Sequence, residues 1–240
     1  MNLNKFFLIA FVFLFGFVSS QTLAKDKLDE AIYISESLFD LDRTIPPPPN
    51  PGTMEYKHEI EFMKAKIAKL NDTQKALAIS DATNETVAFF ADTISNFDIA
   101  KLPKTKALFE KVKYNAGYES RLFKNHFMSK RPYQVDDDIH ACVAPKPSNL
   151  DRSYPSGHTT MGYAMGIVLA DLIPQKSKEI MERARLYGEN RINCGAHFPA
   201  DVVGGQVLGT LVAKELINNQ EFKLLMNEVR DELVEAGLTQ

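Results

Sequence analysis

The sequence predicts an all-α protein that folds as a single helical domain. Three observations carry this prediction: most segments after residue 54 place apolar residues at helical spacing, no run alternates apolar and polar residues as a half-buried strand does, and no internal repeat divides the chain. The chain has 240 residues, of which 45% are hydrophobic and 25% charged, a length and composition that fit one domain with a sizeable core.

The N-terminus carries a short apolar run, residues 6–18, which follows Lys5 and precedes a polar stretch that contains Ala24. This run is shorter than the roughly 20 residues that cross a bilayer, and the pattern is typical of a secretory signal peptide. We therefore expect residues 1–24 to be removed and residues 25–240 to form a periplasmic or secreted domain. A short membrane anchor is the alternative interpretation.

The first half of the remaining chain predicts helices around a proline-rich segment. A short amphipathic helix is expected over 29–41, and residues 44–53 contain five prolines, which favours an extended, polyproline-like path across the surface. Helical patterns then follow over 54–70, over 81–94, where the first residues are plausible caps, and over 104–130, before Pro132.

The second half predicts four more helices. Residues 158–173 are apolar nearly all round and should form a central helix, and residues 175–192 are amphipathic. Residues 199–217 are apolar and rich in glycine, which suits close helix packing, and a polar helix over about 220–236 ends the chain. No segment after the N-terminal run is long and apolar enough to predict a membrane span in the mature form.

The formal net charge of −3 argues against a general affinity for nucleic acids or anionic membranes, so an anion site must be local, built from a few converging cations. The two cysteines, Cys142 and Cys194, would form one disulfide in an oxidising compartment. It would close a loop of about 50 residues and contribute about 3–4 kcal/mol in the chain-entropy model. Two buried free thiols are the alternative.

The first candidate site motif is KNHFMSKRP, which ends at Pro132. Lys124 and Arg131 are seven positions apart, about two helical turns, so we expect them on one helix face, where two long cations suit an oxyanion. A solvated basic face is the alternative.

The second motif is RSYPSGH, which leads into the predicted central helix. Gly157 permits close approach, Ser156 offers a hydroxyl, and the free N–H groups of a helix N-terminus favour an anion beside His158. Ser156 acting only as the helix N-cap is the alternative.

The third motif is RINCGAHFPAD, residues 191–201. His197 and Asp201 are four apart, and with Pro199 in the first turn of a helix the carboxylate reaches the imidazole. An Asp that fixes the tautomer leaves the other ring nitrogen as a nucleophile or base, and Arg191 offers a two-pronged contact to an oxyanion. A capping interaction is the alternative.

Together, the three motifs supply three cations, a helix N-terminus and two histidines, which is the inventory for phosphoryl transfer through a phosphohistidine without a metal or other cofactor. The pattern K-x6-RP, PSGH and R-x5-H-x3-D resembles the signature of the bacterial class A non-specific acid phosphatases. These belong to the superfamily of the type 2 phosphatidic acid phosphatases and vanadium haloperoxidases. The motifs span residues 124–201, and the early proline run is also similar.

The resemblance implies a helical bundle and a metal-independent acid phosphatase that acts on small phosphorylated substrates of broad range. It implies that His197 is the nucleophile, that Asp201 orients it, and that His158 is the general acid. It also implies a set of residues that bind the phosphate oxygens, namely Lys124, Arg131, Ser156, Gly157 and Arg191.

Two positions depart from the family pattern. Asn190 stands where the third block usually has Ser; its amide can still donate to a phosphate oxygen, so activity should survive with altered affinity. Arg152 stands where the central block usually has Gly, and it would add a cation near the mouth of the site.

Other functions remain open: a vanadium-dependent haloperoxidase, a soluble lipid phosphate phosphatase, or an inactive phosphate-binding or adhesion module. The acidic run VDDDIHACV, which contains Asp136, Asp137, Asp138 and His140, favours a solvated loop, with a metal site as the alternative. His58 and His126 are expected to be structural, and a homo-oligomer is possible.

Overall fold

A computed structural model of the chain describes residues 33–34 and 38–240. Within them the backbone forms seven α-helices and five short 3-10 helices, and no strand. The all-α prediction is therefore confirmed. In chain order the helices are α1 (Met54–Ala68), α2 (Asp72–Thr83), α3 (Pro103–Phe127), α4 (Gly157–Leu172), α5 (Ser177–Asn193), α6 (Pro199–Asn218) and α7 (Gln220–Glu235).

Helix α4 is the central element, as its sequence predicts. It packs against α3, α5 and α6, and ten of its sixteen residues are buried. Close contact with α6 depends on Gly205 and Gly209, because a Cβ atom at Gly205 would meet the Ser156 carbonyl oxygen at 2.8 Å. This packing holds the N-termini of α4 and α6 beside each other.

The prediction of an α-helix over 81–94 is wrong. Helix α2 begins at Asp72, after a capping box in which Asn71 and Gln74 bond each other's backbone N–H groups. It ends at Thr83, because Asn84 takes an extended backbone (φ −100°, ψ 100°). The apolar residues that follow enter the core from a four-residue 3-10 helix rather than from an α-helix.

Helix α3 ends at Phe127, three residues earlier than predicted. Met128 adopts the left-handed conformation (φ 46°), and its N–H donates to the carbonyl oxygen of Lys124. Arg131 lies in the loop beyond, with an extended backbone (φ −78°, ψ 156°) that leads into a 3-10 turn over Pro132–Gln134. The prediction that Lys124 and Arg131 share a helix face is therefore wrong.

The other described helices agree with the sequence to within three residues at each end, and residues 46–50 of the proline-rich stretch form no regular secondary structure. The signal peptide predicted over 1–24 lies outside the described residues, as does most of the helix predicted over 29–41. No helix in the described part of the chain combines the length and the apolar character that crossing a membrane requires.

The contact between α4 and α6 predicts an asymmetry between two glycines. A Cβ at Gly209 would collide with the carbonyl oxygen of Thr160 and meet Tyr163 Cβ at 2.8 Å, whereas a Cβ at Gly117, within α3, meets no described atom within 4 Å. We expect Gly209→Ala to lower the free energy of unfolding by about 1–3 kcal/mol and the matched Gly117→Ala to raise it by about 0.5–1 kcal/mol. Urea unfolding of both variants measures this, and equal effects would contradict the packing described.

Candidate active site

The three sequence motifs meet at one cavity of about 740 Å³. Asp201 lies behind the cavity wall and contacts His197, and Ser156 is fully buried next to that wall. Six of the predicted site residues line the cavity directly, namely Lys124, Arg131, Gly157, His158, Arg191 and His197.

His197 and Asp201 form a buried pair at the start of α6. Each is 1% exposed, and His197 Nδ1 lies 3.1 Å from Asp201 Oδ2. The same oxygen accepts hydrogen bonds from Ser153 Oγ at 2.5 Å and from the Phe198 N–H at 2.9 Å. An oxygen that accepts in this way places the imidazole proton on Nδ1 and leaves the lone pair on Nε2. Burial raises the pKa of Asp201, and the hydrogen bonds from Ser153 and Phe198 oppose that shift.

Arg131 contacts the free nitrogen of this pair. Its Nη1 donates to the Ala196 carbonyl oxygen at 2.9 Å and lies 2.7 Å from His197 Nε2, so it also donates to the imidazole lone pair. Burial, together with the positive charges of Arg131, Lys124 and Arg191, holds the pKa of His197 well below its usual value. The imidazole is therefore neutral, the form that a nucleophile requires.

Arg191, in the last turn of α5, presents unpartnered donors to the site. It is 7% exposed, and its Nε and Nη1 groups are buried without a hydrogen-bond partner among the described residues, as is Nε of Arg131. Burial lowers the pKa of Arg191 to about 10, so it remains charged. Buried donors without partners are rare and costly, and a bound oxyanion would satisfy them.

Lys124 is bound differently from what the sequence predicts. Its Nζ donates to three backbone carbonyl oxygens, those of Arg152 at 2.8 Å, Ser153 at 2.8 Å and Pro155 at 2.5 Å. An ammonium group has three donors, so all of them are used within the loop before α4. Burial lowers the pKa of Lys124. Lys124 thus holds this loop in place and adds a positive charge to the cavity.

The N-terminus of α4 forms another part of the wall. Ser156 is the N-cap, as its alternative interpretation held, because its Oγ accepts from the Thr159 N–H at 3.3 Å and from Thr159 Oγ1 at 2.9 Å. The N–H groups of Gly157 and His158 precede the first intrahelical donors and are left for another acceptor. At Gly157 a Cβ would lie 3.3 Å from Ser120 Oγ, so a side chain there would crowd α3.

His158 lines the same cavity as His197. Its Nε2 is 3.3 Å from the Ala82 carbonyl oxygen and 3.3 Å from Glu85 Oε1, and its ring lies nearly parallel to that of Tyr187, with 6.0 Å between centroids. Burial lowers the pKa of His158 well below its usual value, and the positive charges of Arg191, Arg131 and Lys124 add to this.

The two departures from the family pattern have different outcomes. Asn190 is 2% exposed, and its Nδ2 donates to Asp81 Oδ2 at 2.7 Å, so the expectation that its amide faces the phosphate is wrong. The carboxylate of Asp81, which also binds Arg183, takes up that amide. Arg152 lines the cavity as expected.

The predicted disulfide is present. Cys142 and Cys194 are bonded, and the Cys142 N–H donates to the Cys194 carbonyl oxygen at 2.8 Å, which fastens the turn between Arg191 and His197 to the loop after residue 138.

The acidic run is bound by a lysine. Lys64 Nζ lies 2.5 Å from Asp138 Oδ2 and 3.3 Å from Asp136 Oδ2. The structure as described for residues 33–34 and 38–240 brings no three His, Cys, Asp or Glu side chains into an arrangement that could hold a metal ion.

Sequence reasoning missed several residues that support the site. Ser153 lies within the quoted central motif, where its position beside the tyrosine was the available signal. Glu85 lies in a segment mistaken for a helix. Glu59 carries no local signal: its Oε1 accepts from the Ala200 N–H at 2.6 Å, and both residues line a second cavity whose wall includes Asp201.

Comparison with known proteins identifies the family of this chain. The sequence profile of the PAP2 superfamily matches residues 113–224. An acid phosphatase of Zymomonas mobilis is 32% identical over 196 residues, which cover 79% of this chain and 74% of that protein. The chain belongs to the PAP2 superfamily. A non-specific acid phosphatase of Salmonella typhimurium is 28% identical over 197 residues, 79% of this chain and 78% of that protein.

The fold of this PAP2 superfamily member is also found among solved structures. The crystal structure of a transmembrane PAP2-type phosphatidylglycerolphosphate phosphatase from Bacillus subtilis superposes with a TM-score of 0.53 at 19% identity, covering 72% of this chain and 89% of that one. The resemblance drawn from the three motifs, the helical fold and the assignment as a phosphatase are confirmed.

Glu59 generates a pH-dependent prediction. Burial raises its pKa from 4.5 to about 7, so the folded state binds this proton more tightly than the unfolded state does. The resulting stability is present at low pH and is lost as the pH rises through about 7. Glu59→Gln keeps an oxygen for the Ala200 N–H but cannot ionise. We expect its stability relative to the natural chain to increase between about pH 5 and about pH 8.

Urea unfolding at the two pH values measures the shift, and Glu61→Gln, at an exposed position of α1, is the matched control. A relative stability of Glu59→Gln that stays constant with pH, or that falls, would contradict the burial of this carboxyl group.

Proposed function

We propose that this PAP2 superfamily enzyme is an exported, metal-independent acid phosphatase that hydrolyses phosphomonoesters of broad range through a phosphohistidine. One observation carries the proposal: His197 Nδ1 lies 3.1 Å from Asp201 Oδ2, and the same imidazole lines a cavity in which arginine N–H groups have no partner among the described residues. Its acid phosphatase relatives and its predicted signal peptide support the remaining parts.

In the first step His197 Nε2 attacks phosphorus, and the bond from phosphorus to the leaving oxygen breaks. Arg131 now donates to Nε2 at 2.7 Å, and it must turn its donors to the phosphate oxygens as the substrate enters. The imidazole gains positive charge as the N–P bond forms, and the neighbouring Asp201 carboxylate stabilises that charge through Nδ1.

The negative charge of the transferring group is stabilised by a fixed set of donors. Arg191 and Arg131 offer buried N–H groups, and the N-terminus of α4 adds the N–H groups of Gly157 and His158. Lys124 contributes its charge from behind the loop. Once Arg131 has turned toward the entering phosphate, these groups are in position before the chemical steps, so little further reorganisation is needed.

His158 protonates the leaving oxygen in the first step. Burial and the nearby cations lower the pKa of His158, and a bound phosphate dianion neutralises those cations, which favours the protonated ring at acid pH. Glu85, at 3.3 Å, orients the ring and offers it a negative partner. In the second step neutral His158 takes a proton from water, the water oxygen attacks phosphorus, and the bond to His197 Nε2 breaks, which releases phosphate.

The lowered pKa of His197 is compatible with phosphatase activity at acid pH. Most histidines protonate near pH 6.5 and would lose nucleophilicity in acid. The pKa of His197 is held lower by burial and by the adjacent cations, so its lone pair stays available. Broad substrate range follows from recognition that is concentrated on the phosphate group rather than on the alcohol.

Removing the nucleophile should abolish turnover. We expect the mature protein to hydrolyse p-nitrophenyl phosphate at acid pH in EDTA, and His197→Ala to lower kcat by about a thousandfold or more because the covalent step is lost. His58→Ala, on the exposed side of α1, is the control and should keep normal activity. Near-normal turnover of His197→Ala, or loss of activity in EDTA that a divalent ion restores, would refute the mechanism.

The general acid predicts a dependence on the leaving group. His158→Ala should lower kcat/KM for an alkyl phosphate such as glycerol phosphate by about a hundredfold or more, because an alkoxide leaves poorly without a proton. The loss for p-nitrophenyl phosphate should be much smaller. Steady-state kinetics with both substrates measures the two losses, and equal losses would mean that His158 does not act as the acid.

A further inference from the structure

The active-site cavity carries more positive charge than one phosphate group needs. Besides the three buried cations, four others line it, against two carboxylates, although the whole chain has a net charge of −3. The additional cations are Lys113, Arg121, Lys146 and Arg152.

These cations lie on two facing elements near the mouth. Positions 113, 117, 120, 121 and 124 of α3 all line the cavity, a spacing that places them on one helix face. At 1.5 Å rise per residue, Arg121 lies about 4.5 Å along the helix from Lys124. The loop that contains Lys146 and Arg152 forms part of the same cavity wall.

Three of the four have no negative partner. Lys113 is 3.7 Å from Glu85, which neutralises it. Arg121, Lys146 and Arg152 have no carboxylate within ion-pair distance among the residues that the structure describes; Arg121 lies 5.9 Å from the Tyr118 ring, a contact that leaves its charge uncompensated. Arg152 is held next to the catalytic centre, because its own carbonyl oxygen accepts from Lys124.

We propose that Arg121, Lys146 and Arg152, here called the mouth cations, bind a second phosphate group of the substrate. This inference rests on the proposed function, since the first phosphate must lie between Arg191 and His197. The preferred substrates are then small organic molecules with two phosphate monoester groups, one placed for attack and the other held at the mouth.

The size and setting of the cavity favour a small molecule over a polyanion. About 740 Å³ accommodates a phosphorylated sugar or polyol. Long polyanions such as nucleic acids need an extended basic surface, whereas this chain is acidic as a whole and seven of its Lys and Arg residues line one cavity.

The test measures kcat/KM for three substrates: fructose 1,6-bisphosphate, fructose 6-phosphate and p-nitrophenyl phosphate. It compares the mature enzyme with a triple variant, Arg121→Gln, Lys146→Gln, Arg152→Gln. The enzyme should show a higher kcat/KM for the bisphosphate than for fructose 6-phosphate. The triple variant should lower kcat/KM for the bisphosphate by about tenfold or more, mainly through KM, because a charge at about 4 Å changes binding by a few-fold even in water.

The kcat/KM of the triple variant for p-nitrophenyl phosphate should stay within about twofold of that of the natural enzyme, because this substrate has no second phosphate group for the mouth cations to bind. Lys106→Gln, at an exposed position of α3 outside the cavity, is the control and should change neither substrate. Added salt should reduce the preference for the bisphosphate, since exposed charges are screened within about 10 Å at 0.1 M.

The proposal is overturned if the enzyme hydrolyses p-nitrophenyl phosphate but shows no preference for the bisphosphate, or if the triple variant affects all substrates alike. A complete lack of p-nitrophenyl phosphate hydrolysis would instead overturn the proposed function on which the inference rests.

Discussion

Three cations are buried around a single cavity, and the rest of the site is arranged to hold them there. Burying a charge is costly unless it is paired or hydrogen-bonded. For Lys124 this cost is offset by hydrogen bonds to three carbonyl oxygens. For Arg131 it is offset by hydrogen bonds to the Ala196 carbonyl oxygen and the His197 lone pair. Arg191 keeps two donors unpartnered. The resulting positive potential suits a bound anion, and together with burial it lowers the pKa of His197.

Asp201 links the parts of this arrangement. Its carboxylate binds His197 and Ser153, and its backbone carbonyl oxygen accepts from the Ser156 N–H at 2.9 Å, just before α4. The third motif is therefore bonded to the second at both its side chain and its backbone. The close packing of α4 on α6, which the glycines of α6 allow, keeps these bonds in register. The disulfide at Cys194 fastens the same turn from its other side.

The sequence predicts the helices and the convergence of the motifs well, because apolar periodicity and the Pro, Gly and His positions are local signals. It fails where long-range contacts decide. Nothing local shows that Lys124 binds three carbonyl oxygens of a loop some thirty residues later, or that Asp81 takes up the amide of Asn190. The break at Asn84 was likewise missed, since the buried Phe89 and Phe90 keep an apolar pattern that a helix would also give.

For Arg131 the sequence predicts the location of the side chain but not the backbone structure that places it there. The seven-residue spacing predicts that Arg131 lies on the same helix face as Lys124. Both residues do line one cavity, but α3 ends at Phe127, and the loop that follows directs the Arg131 guanidinium to His197. The motif therefore predicts that Lys124 and Arg131 lie close together. The backbone path between them depends on Met128, whose left-handed conformation ends the helix.

Burial and the neighbouring cations lower the pKa of His197, so we expect its imidazole to be neutral with its proton on Nδ1. Its imidazole 15N chemical shifts, recorded at about pH 5 in the protein without ligand, test this directly, because most histidines are charged at that pH. We expect a neutral ring protonated at Nδ1, with Nε2 unprotonated. A charged imidazolium at that pH, or a neutral ring protonated at Nε2, would contradict the claim.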